Sequence, residues 1–368
     1  VRSEQMTPGA GSGTPVVVVC FTGNSGLTDY SVSMCRELTP AHDVLLMTAD
    51  SIEPFYRDLG VPVETAFRRS RHYLQDLLRF LRRVPRLNAC SVVFQGPLKL
   101  SFLDALAVRY LRRRGVVVAV VVHDVVPHAG GRLATASLHF YYRSFPKLIV
   151  HSEDAESRLR EVGVDGAVLV VPHGRYDIFD VDHLTRAEAR AALGIDPAHR
   201  VALFFGNLEE RKGLEFFVEA ARESTDPALL FLAAGQDFVS AQSPQLRAVV
   251  RGDEVLPRLR VDLGRVPHRD VQKYFRAADV VVLPYLEGST SGVLKLAIAF
   301  EVPVLATDVG DIRTELPPEG RLLTGTLSAR SLLEGIADMQ HQTTPQILDD
   351  RLAWRTIVPQ MATFLLAE

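Results

Sequence analysis

The sequence predicts an α/β protein built from two doubly wound parallel sheets, and three observations carry that prediction. Short Val-rich runs alternate with amphipathic stretches, the pattern of strands covered by helices on both faces. The alternation breaks at Pro172-His173-Gly174-Arg175, continues as a polar stretch to about Thr185, and then restarts. At 368 residues with 47% apolar content, the chain has enough material for two cores.

Taken in order, residues 1–14 (VRSEQMTPGAGSGT) are small, polar and Gly/Pro-rich and read as a flexible tail. Residues 15–174 form the first domain, with strands at Val16–Phe21, Val44–Met47, Ser91–Gln95, Val116–Val122, Leu148–His151 and Ala167–Val171. Residues 175–344 form the second, with strands at Val201–Phe205, Leu229–Ala233, Val280–Leu283 and Pro303–Ala306. Residues 345–368 hold a terminal helix, Pro345–Leu366, with Leu348, Leu352, Trp354, Ile357, Met361 and Phe364 as candidate buried positions. It either crosses back to brace the first domain or packs on its own.

Charge is near neutral overall, at −3, but uneven: residues 1–174 carry 20 Lys/Arg against 16 Asp/Glu, and the remainder 21 against 28. Much of the basic excess is Arg68, Arg69, Arg71, Arg79, Arg82, Arg83 and Arg86, on a stretch where Phe67, Leu74, Leu77, Leu78 and Leu81 recur at helical spacing. The Arg68–Arg86 stretch is either the solvated face of a sheet-covering helix or a patch that meets anionic lipid or an acidic acceptor. Nucleic acid is not expected, since aromatic interleaving and a recognition motif are missing. The apolar runs fall well short of the roughly 20 residues that span a bilayer, and no signal segment opens the sequence, so a cytoplasmic protein is expected. Cys20, Cys35 and Cys90 have no metal spacing and read as reduced buried thiols.

Ligands of doubly wound sheets gather outside the carboxyl ends of the strands, which directs attention to four loops. Val280–Leu283 is a buried run stopped by Pro284; Glu287-Gly288-Ser289-Thr290-Ser291-Gly292 follows and opens a helix over Val293–Phe300. Free N–H groups and the helix dipole there suit a phosphate, the alternative being an ordinary capped helix. Phe205-Gly206-Asn207-Leu208-Glu209-Glu210-Arg211-Lys212-Gly213 leaves the first strand of the second domain; Arg211 and Lys212 at a helix start would neutralise a diphosphate. In the first domain, Gly23-Asn24-Ser25-Gly26 follows the opening strand but lacks the G-x-G-x-x-G and P-loop spacings, so a ligand turn and a plain tight turn both remain open. His123-Asp124 ends the strand Val116–Val122, a position that favours a ligand role over a structural one; with His128 it lacks a third metal ligand.

These residues resemble the GT-B glycosyltransferases, and among them the retaining family-4 group (glycosyl transferases group 1). FFGNLEERKG, VPHRDVQKYFRAADVVVLPY and PVLATDVGDIRTEL are similar to elements of that family's second domain, and Gly23–Gly26, His123-Asp124, His151–Glu153 and Pro172–Gly174 to counterparts in its first. The resemblance implies two Rossmann-like domains facing a cleft, and transfer of a sugar from a UDP- or GDP-linked donor with retention and without a required metal or other cofactor. The acceptor would be a glycan, a lipid-linked hydroxyl or a secondary metabolite. It further implies that Lys212 and Arg211 hold the diphosphate together with Gly206, Asn207 and the turn Ser289-Thr290-Ser291-Gly292-Val293, and that Val266 and Pro267 face the base. Gly23, Asn24 and Gly26 would lie on the donor, while His123, Asp124 and Glu287 would be the catalytic groups.

One departure stands out. The family commonly carries two Glu separated by seven residues, whereas Glu287 counts forward to Lys295, and alignment on Pro303 gives Gly288 and Leu296. The second carboxylate is therefore missing from this Ser-Gly-Val-Leu variant, which leaves ribose recognition unassigned. Two alternatives follow: a catalytically silent homologue that partners an active transferase, and a nucleotide-sugar epimerase of the same fold.

Overall fold

The computed structural model describes residues 15–68, 70–89, 91–125, 131–241, 243–288, 291–310, 312–339 and 350–367. The tail 1–14, Arg69, Cys90, His128, Ser289, Thr290 and Leu348 lie outside the described residues. The chain divides into two units, one joining residues up to Gly174 with those from Asp350 onward, the other running from Arg175 to Asp349.

The first unit alternates β1 (Val16–Val19), α1 (Gly26–Leu38), β2 (Val44–Ala49), α2 (Pro54–Asp58), β3 (Val63–Phe67), α3 (Tyr73–Arg83), β4 (Ser91–Gln95), α4 (Ser101–Arg113), β5 (Val118–Val121), α5 (Arg132–Tyr142), β6 (Lys147–Val150), α6 (Glu153–Glu161) and β7 (Ala167–Val170). All seven strands are parallel, in the order β3-β2-β1-β4-β5-β6-β7. Val17, Val18, Val19, Val92 and Val93 are fully buried because β1 and β4 sit mid-sheet under two helical layers. Right-handed crossovers put α1 and α2 on one face and α3 to α6 on the other. Strand order reverses between β1 and β4.

The second unit repeats the plan with α7 (Arg186–Leu193), β8 (Arg200–Phe205), α8 (Leu214–Glu223), β9 (Leu229–Gly235), α9 (Pro244–Arg251), β10 (Leu259–Leu263), α10 (Val271–Ala277), β11 (Val280–Leu283), α11 (Gly292–Ala299), β12 (Val304–Ala306), α12 (Ile312–Glu315), β13 (Arg321–Leu322) and α13 (Ala329–Met339). Its parallel sheet has the order β10-β9-β8-β11-β12-β13, and the reversal falls between β8 and β11, where Val281 pairs with Leu203. The core is aromatic and aliphatic, with Phe217 tilted against Phe204 and edge to face with Phe231 across β8, α8 and β9.

The last helix, α14 (Trp354–Leu366), belongs to the first unit and packs on α1. Trp354 meets Tyr30 edge-on at 4.9 Å. Its indole also lies against Gly174, where a β-carbon would overlap the ring, so the glycine at the end of this unit is a packing requirement. Within the predicted stretch, Trp354, Ile357 and Met361 are buried, whereas Leu352 and Phe364 are only partly so.

Three corrections concern the elements. Strands β3, β10 and β13 escape the sequence pattern; all are sheet edges whose residues are mixed in polarity because one side is solvated. The arginine-rich stretch is no single helix: Phe67 closes β3 and α3 begins only at Tyr73. Its buried stripe is Tyr73, Asp76, Leu77 and Phe80, so Leu74 and Leu78, two of the apolar residues at helical spacing, point outward, at 60% and 54% exposure. Cys20 and Cys35 are buried free thiols. Among the described residues no helix is long and apolar enough to cross a membrane.

Candidate functional site

In the second unit, the two loops singled out for anion binding leave β8 and β11, the neighbours at which strand order reverses. Such a reversal opens a crevice at the carboxyl ends of the strands. The chain leaves β8 through Gly206, whose N–H donates to Ala234 O at 2.9 Å, and reaches a single tight turn at Glu210–Lys212. Gly213 follows at φ 68°, with its N–H on Glu210 O at 2.7 Å, and α8 begins. Glycine is required twice: a β-carbon at Gly213 would overlap the Pro284 carbonyl, and one at Gly235 (φ 153°) would overlap the Gly206 carbonyl.

The two loops are tied together by backbone. The Arg211 carbonyl accepts from Leu286 N–H at 2.9 Å and from Glu287 N–H at 3.3 Å. Lys212 lies over the Tyr285 ring, with Nζ 5.7 Å from its centroid and 3.8 Å from Glu209 Oε1. Its side chain is only 13% exposed. Burial pulls the Lys212 ammonium down to about 8; Glu209 opposes the shift and Arg211 adds to it. Arg211 is half exposed and grips Glu209 through two bonds of 2.8 and 3.1 Å.

Helix α11 begins at Gly292 with Ser291 as its N-cap, Oγ accepting from Leu294 N–H at 3.2 Å. The Ser291 hydroxyl also donates to Tyr285 Oη at 3.4 Å. A β-carbon at Gly206 would touch Val293 Cγ2 and Lys212 Nζ, so Gly206, Lys212, Tyr285, Ser291 and Val293 share one small neighbourhood. That is a cation beside the start of a helix, the chemistry of an anion site. Glu287 is exposed beside it, and Asn207 is half-buried at the exit of β8. Val266 and Pro267 lie after β10, two strands away on the same edge, next to His268, which stacks on Phe179 at 5.4 Å.

Lys295 gives the missing carboxylate a structural account. It is 1% exposed, one turn into α11, and its Nζ lies 2.7 Å from Glu315 on α12. At one of the two positions where a carboxylate is expected the sequence shows a cation, and the fold sets a carboxylate against it from another helix.

In the first unit, Gly23 is pressed against the chain's own backbone at Ser51 and Ile52, whereas Asn24 and Gly26 are exposed at the start of α1. The turn closes on itself: Thr28 Oγ1 donates to Thr22 O at 2.8 Å and accepts from Ser25 N–H at 3.2 Å. His123 follows β5 and donates through Nε2 to Gln95 Oε1 at 3.1 Å, leaving Nδ1 as its acceptor. Its ring stands edge-on to Tyr30 at 4.8 Å, with His151 and His173 at 5.3 and 5.0 Å from the same tyrosine. Burial first, and His151 second, hold His123 down at about 3, so it is neutral at physiological pH. Asp124 accepts at its backbone carbonyl from Tyr142 Oη, 2.7 Å away. His123 and Asp124 line a cavity of about 600 Å³ walled by Leu100, Phe102, Leu103 and Leu138, with Gln95 and Lys99 among its polar groups.

The sequence did not single out Glu209, Tyr285, Gly235 or Glu315 in the second unit, nor Gln95 and Tyr30 in the first. Gly235 and Gln95 close their strands, a positional signal; Glu315 and Tyr30 reach their partners only through tertiary packing. Among the described residues no group of three or more His, Cys, Asp or Glu side chains is arranged to hold a metal ion.

Residues 199–341 match the model of glycosyl transferases group 1, and residues 79–172 that of the glucosyltransferase 3-like N-terminal domain. The chain is related to glycosyltransferases of the GT-B fold. The putative teichuronic acid biosynthesis glycosyltransferase TuaC of Bacillus subtilis is 31% identical over 193 residues, 51% of this chain and 45% of that protein. A D-inositol 3-phosphate glycosyltransferase of Mycobacterium tuberculosis (strain F11) is 31% identical over 183 residues, 49% of this chain and 37% of that protein. The chain thus spans less than half the length of these relatives. Among solved structures, Anabaena Alr3699/HepE in complex with UDP and glucose superposes with a TM-score of 0.74 at 15% identity, covering 96% of this chain and 99% of that one. WaaG, a glycosyltransferase involved in lipopolysaccharide biosynthesis, superposes at 0.63 with 18% identity, covering 96% and 100%. These likenesses show the fold: two Rossmann-like units of parallel sheet and helix.

Proposed function

We propose that the protein is a retaining, metal-independent glycosyltransferase that moves a sugar from a nucleotide diphosphate sugar to a hydroxyl of a glycan, lipid-linked or secondary-metabolite acceptor. The supporting observation is the convergence of Lys212, the Gly206 exit and the start of α11 at the strand reversal of the second unit. A sugar leaves its donor as charge builds on the diphosphate, and fixed donors aimed at that charge lower the barrier. Lys212 and Arg211 supply the cations, and the Ser289–Val293 turn supplies N–H groups, the task a divalent ion performs elsewhere. The base sits against Val266 and Pro267. Homologous folds bound to UDP or UDP-glucose favour such a donor, with GDP-linked sugars next.

The acceptor hydroxyl meets His123 and Asp124, Glu287 acts on the transferred sugar, and Asn24 and Gly26 are donor-binding residues. A neutral imidazole with Nε2 committed to Gln95 orients a hydroxyl through Nδ1 without adding charge. We place the protein in the cytoplasm, either free or peripheral at the inner membrane surface. The test is release of nucleoside diphosphate when the protein is mixed with UDP- and GDP-sugars and candidate acceptors. Turnover that disappears in Lys212→Ala supports the reading. Tight UDP binding with no turnover of any donor would instead favour a catalytically silent partner of an active transferase, the reading that the Lys295 replacement recommends.

A further inference from the structure

The second unit holds another cavity, of about 500 Å³, at the amino edge of its sheet, opposite the edge that carries the anion loops. It meets the strands at their first residues: Arg200 and Val201 open β8, Leu229 opens β9, Val280 opens β11, and Pro303 stands just before β12. Phe275 of α10 and Phe300, at the end of α11, stack at 5.4 Å and, with Ile336 of α13, give it an apolar wall. The volume is that of a small-molecule site. None of the residues assigned to the donor lines it.

Three arginines and two carboxylates line the same cavity. Asp279 is saturated: it pairs with Arg186, and its Oδ2 accepts from Arg190 Nη2 and from Val201 N–H, each at 2.7 Å. Arg276 donates through Nη2 to Asp180 at 2.6 Å and lies over the Phe300 ring at 5.4 Å, while its Nε is buried with no hydrogen-bond partner among the described residues. A buried donor left unpaired is a cost that a ligand oxygen removes. Arg186 is half exposed, and its contact with Asp279 engages only part of a guanidinium that carries five N–H groups. The other carboxylate, Glu301, is exposed, makes no ion pair among the described residues and stands at φ 58°, a conformation that favours glycine.

We propose that this cavity is an effector site for a small organic anion, which sets an oxyanion against Arg186 and Arg276 and an apolar body against Phe275, Phe300 and Ile336, and that its occupancy tightens binding at the anion loops. One continuous piece of chain joins the two places. β11 runs from Val280 at the cavity to the loop beyond Leu283, and α11 returns from its cap at Ser291 to Phe300 at the cavity. Each leg is only about 12–13 Å long. Val293 to Ile298 are all buried in close packing, so a ligand that fixes Phe300 steadies α11 as a body, and a steadier N-terminal turn loses less freedom when an anion docks on it. The coupling rests on the donor reading of Lys212 and the Ser291 turn; the cavity assignment does not.

Calorimetry of the full chain with 1-naphthyl phosphate and 1-naphthoate, against uncharged 1-naphthol, tests the assignment. At least one of the two anions should bind, the stronger one telling whether the oxyanion is a phosphate or a carboxylate, and naphthol should bind roughly tenfold more weakly or less. Arg186→Gln/Arg276→Gln should lower the anion's affinity roughly tenfold or more, the loss of one or two charge-assisted bonds. Glu301→Gly, at an exposed residue, should raise it, and Lys212→Ala should leave it unchanged. With the cavity saturated, UDP should bind about fivefold tighter, and UDP should tighten the naphthyl anion by the same factor. In the double arginine variant that change should vanish while UDP affinity alone stays as in the parent. Binding of neither anion, binding as strong for naphthol, or binding that Lys212→Ala abolishes overturns the cavity assignment. UDP affinity that a bound anion leaves unchanged or weakens overturns the coupling. Intact anion binding in a protein that binds no UDP would instead fault the donor reading, and the coupling with it, while supporting the cavity assignment.

Discussion

The same edge of two similar sheets carries opposite chemistry in the two units. At the strand reversal of the second unit the loops leaving β8 and β11 hold a buried lysine beside the start of a helix, a place built for negative charge. At the corresponding edge of the first unit stand His123, His151, His173 and Tyr30, packed ring on ring, with His123 kept neutral by burial. A doubly wound sheet fixes where a ligand sits; the residues just past the strand ends decide its charge. One unit thereby suits a diphosphate, the other an uncharged hydroxyl.

The largest test of this contrast concerns Lys295. Replacing it by Met leaves Glu315 buried without its cation, and loss of one partner of a buried pair costs about 3–5 kcal/mol. The only tryptophan, Trp354, lies in the first unit. Urea titration of Lys295→Met should therefore shift part of the far-ultraviolet circular dichroism transition while Trp fluorescence keeps its midpoint; Lys295→Met/Glu315→Leu should recover most of the loss. Next in size, Lys212→Ala removes a charge-assisted contact of about 1.5–3 kcal/mol. Calorimetry should show UDP binding at least tenfold weaker, with stability little changed. Unchanged binding would place the anion elsewhere.

Gly174→Ala acts on the other unit. The added methyl group meets the Trp354 indole, and overpacking of this kind costs about 1–3 kcal/mol. Here fluorescence and circular dichroism should exchange roles, the Trp transition moving and the remainder holding. The smallest effect is on pH dependence. Lys212 titrates near 8 and binds anions only when protonated, so UDP affinity should fall about tenfold per unit as pH rises above that value. Lys212→Arg should flatten the profile. Between pH 5 and 8 His123 stays neutral, so no change in that window should trace to it; a step that vanishes in His123→Gln would show the ring to be more open than its packing implies.

Much of this was legible in the residues themselves. Central strands announce themselves because both faces are buried and Val or Leu fills every position, as in β1 and β11. Edge strands such as β3 and β10 carry a solvated side and dissolve into loop-like composition. The anion loops could be read from Gly, Ser and paired cations next to strand ends. Their stitching through the Arg211 carbonyl could not, because a backbone bond leaves no mark on residue type. Leu74 and Leu78 misled for a related reason: helical spacing marks an apolar stripe but not which way it faces, and α3 turns Tyr73, Leu77 and Phe80 inward instead.

The contacts around the anion loops also bear on how this chain can change over generations. Gly213 and Gly235 each touch main chain, against Pro284 and Gly206, and no second mutation can trim a backbone to admit a side chain. Lys295 and Glu315 meet side chain to side chain, so a change in one can be answered by a change in the other. Descendants of this sequence should therefore hold both glycines fixed while the lysine and glutamate vary as a pair, the signature of two kinds of constraint written into one site.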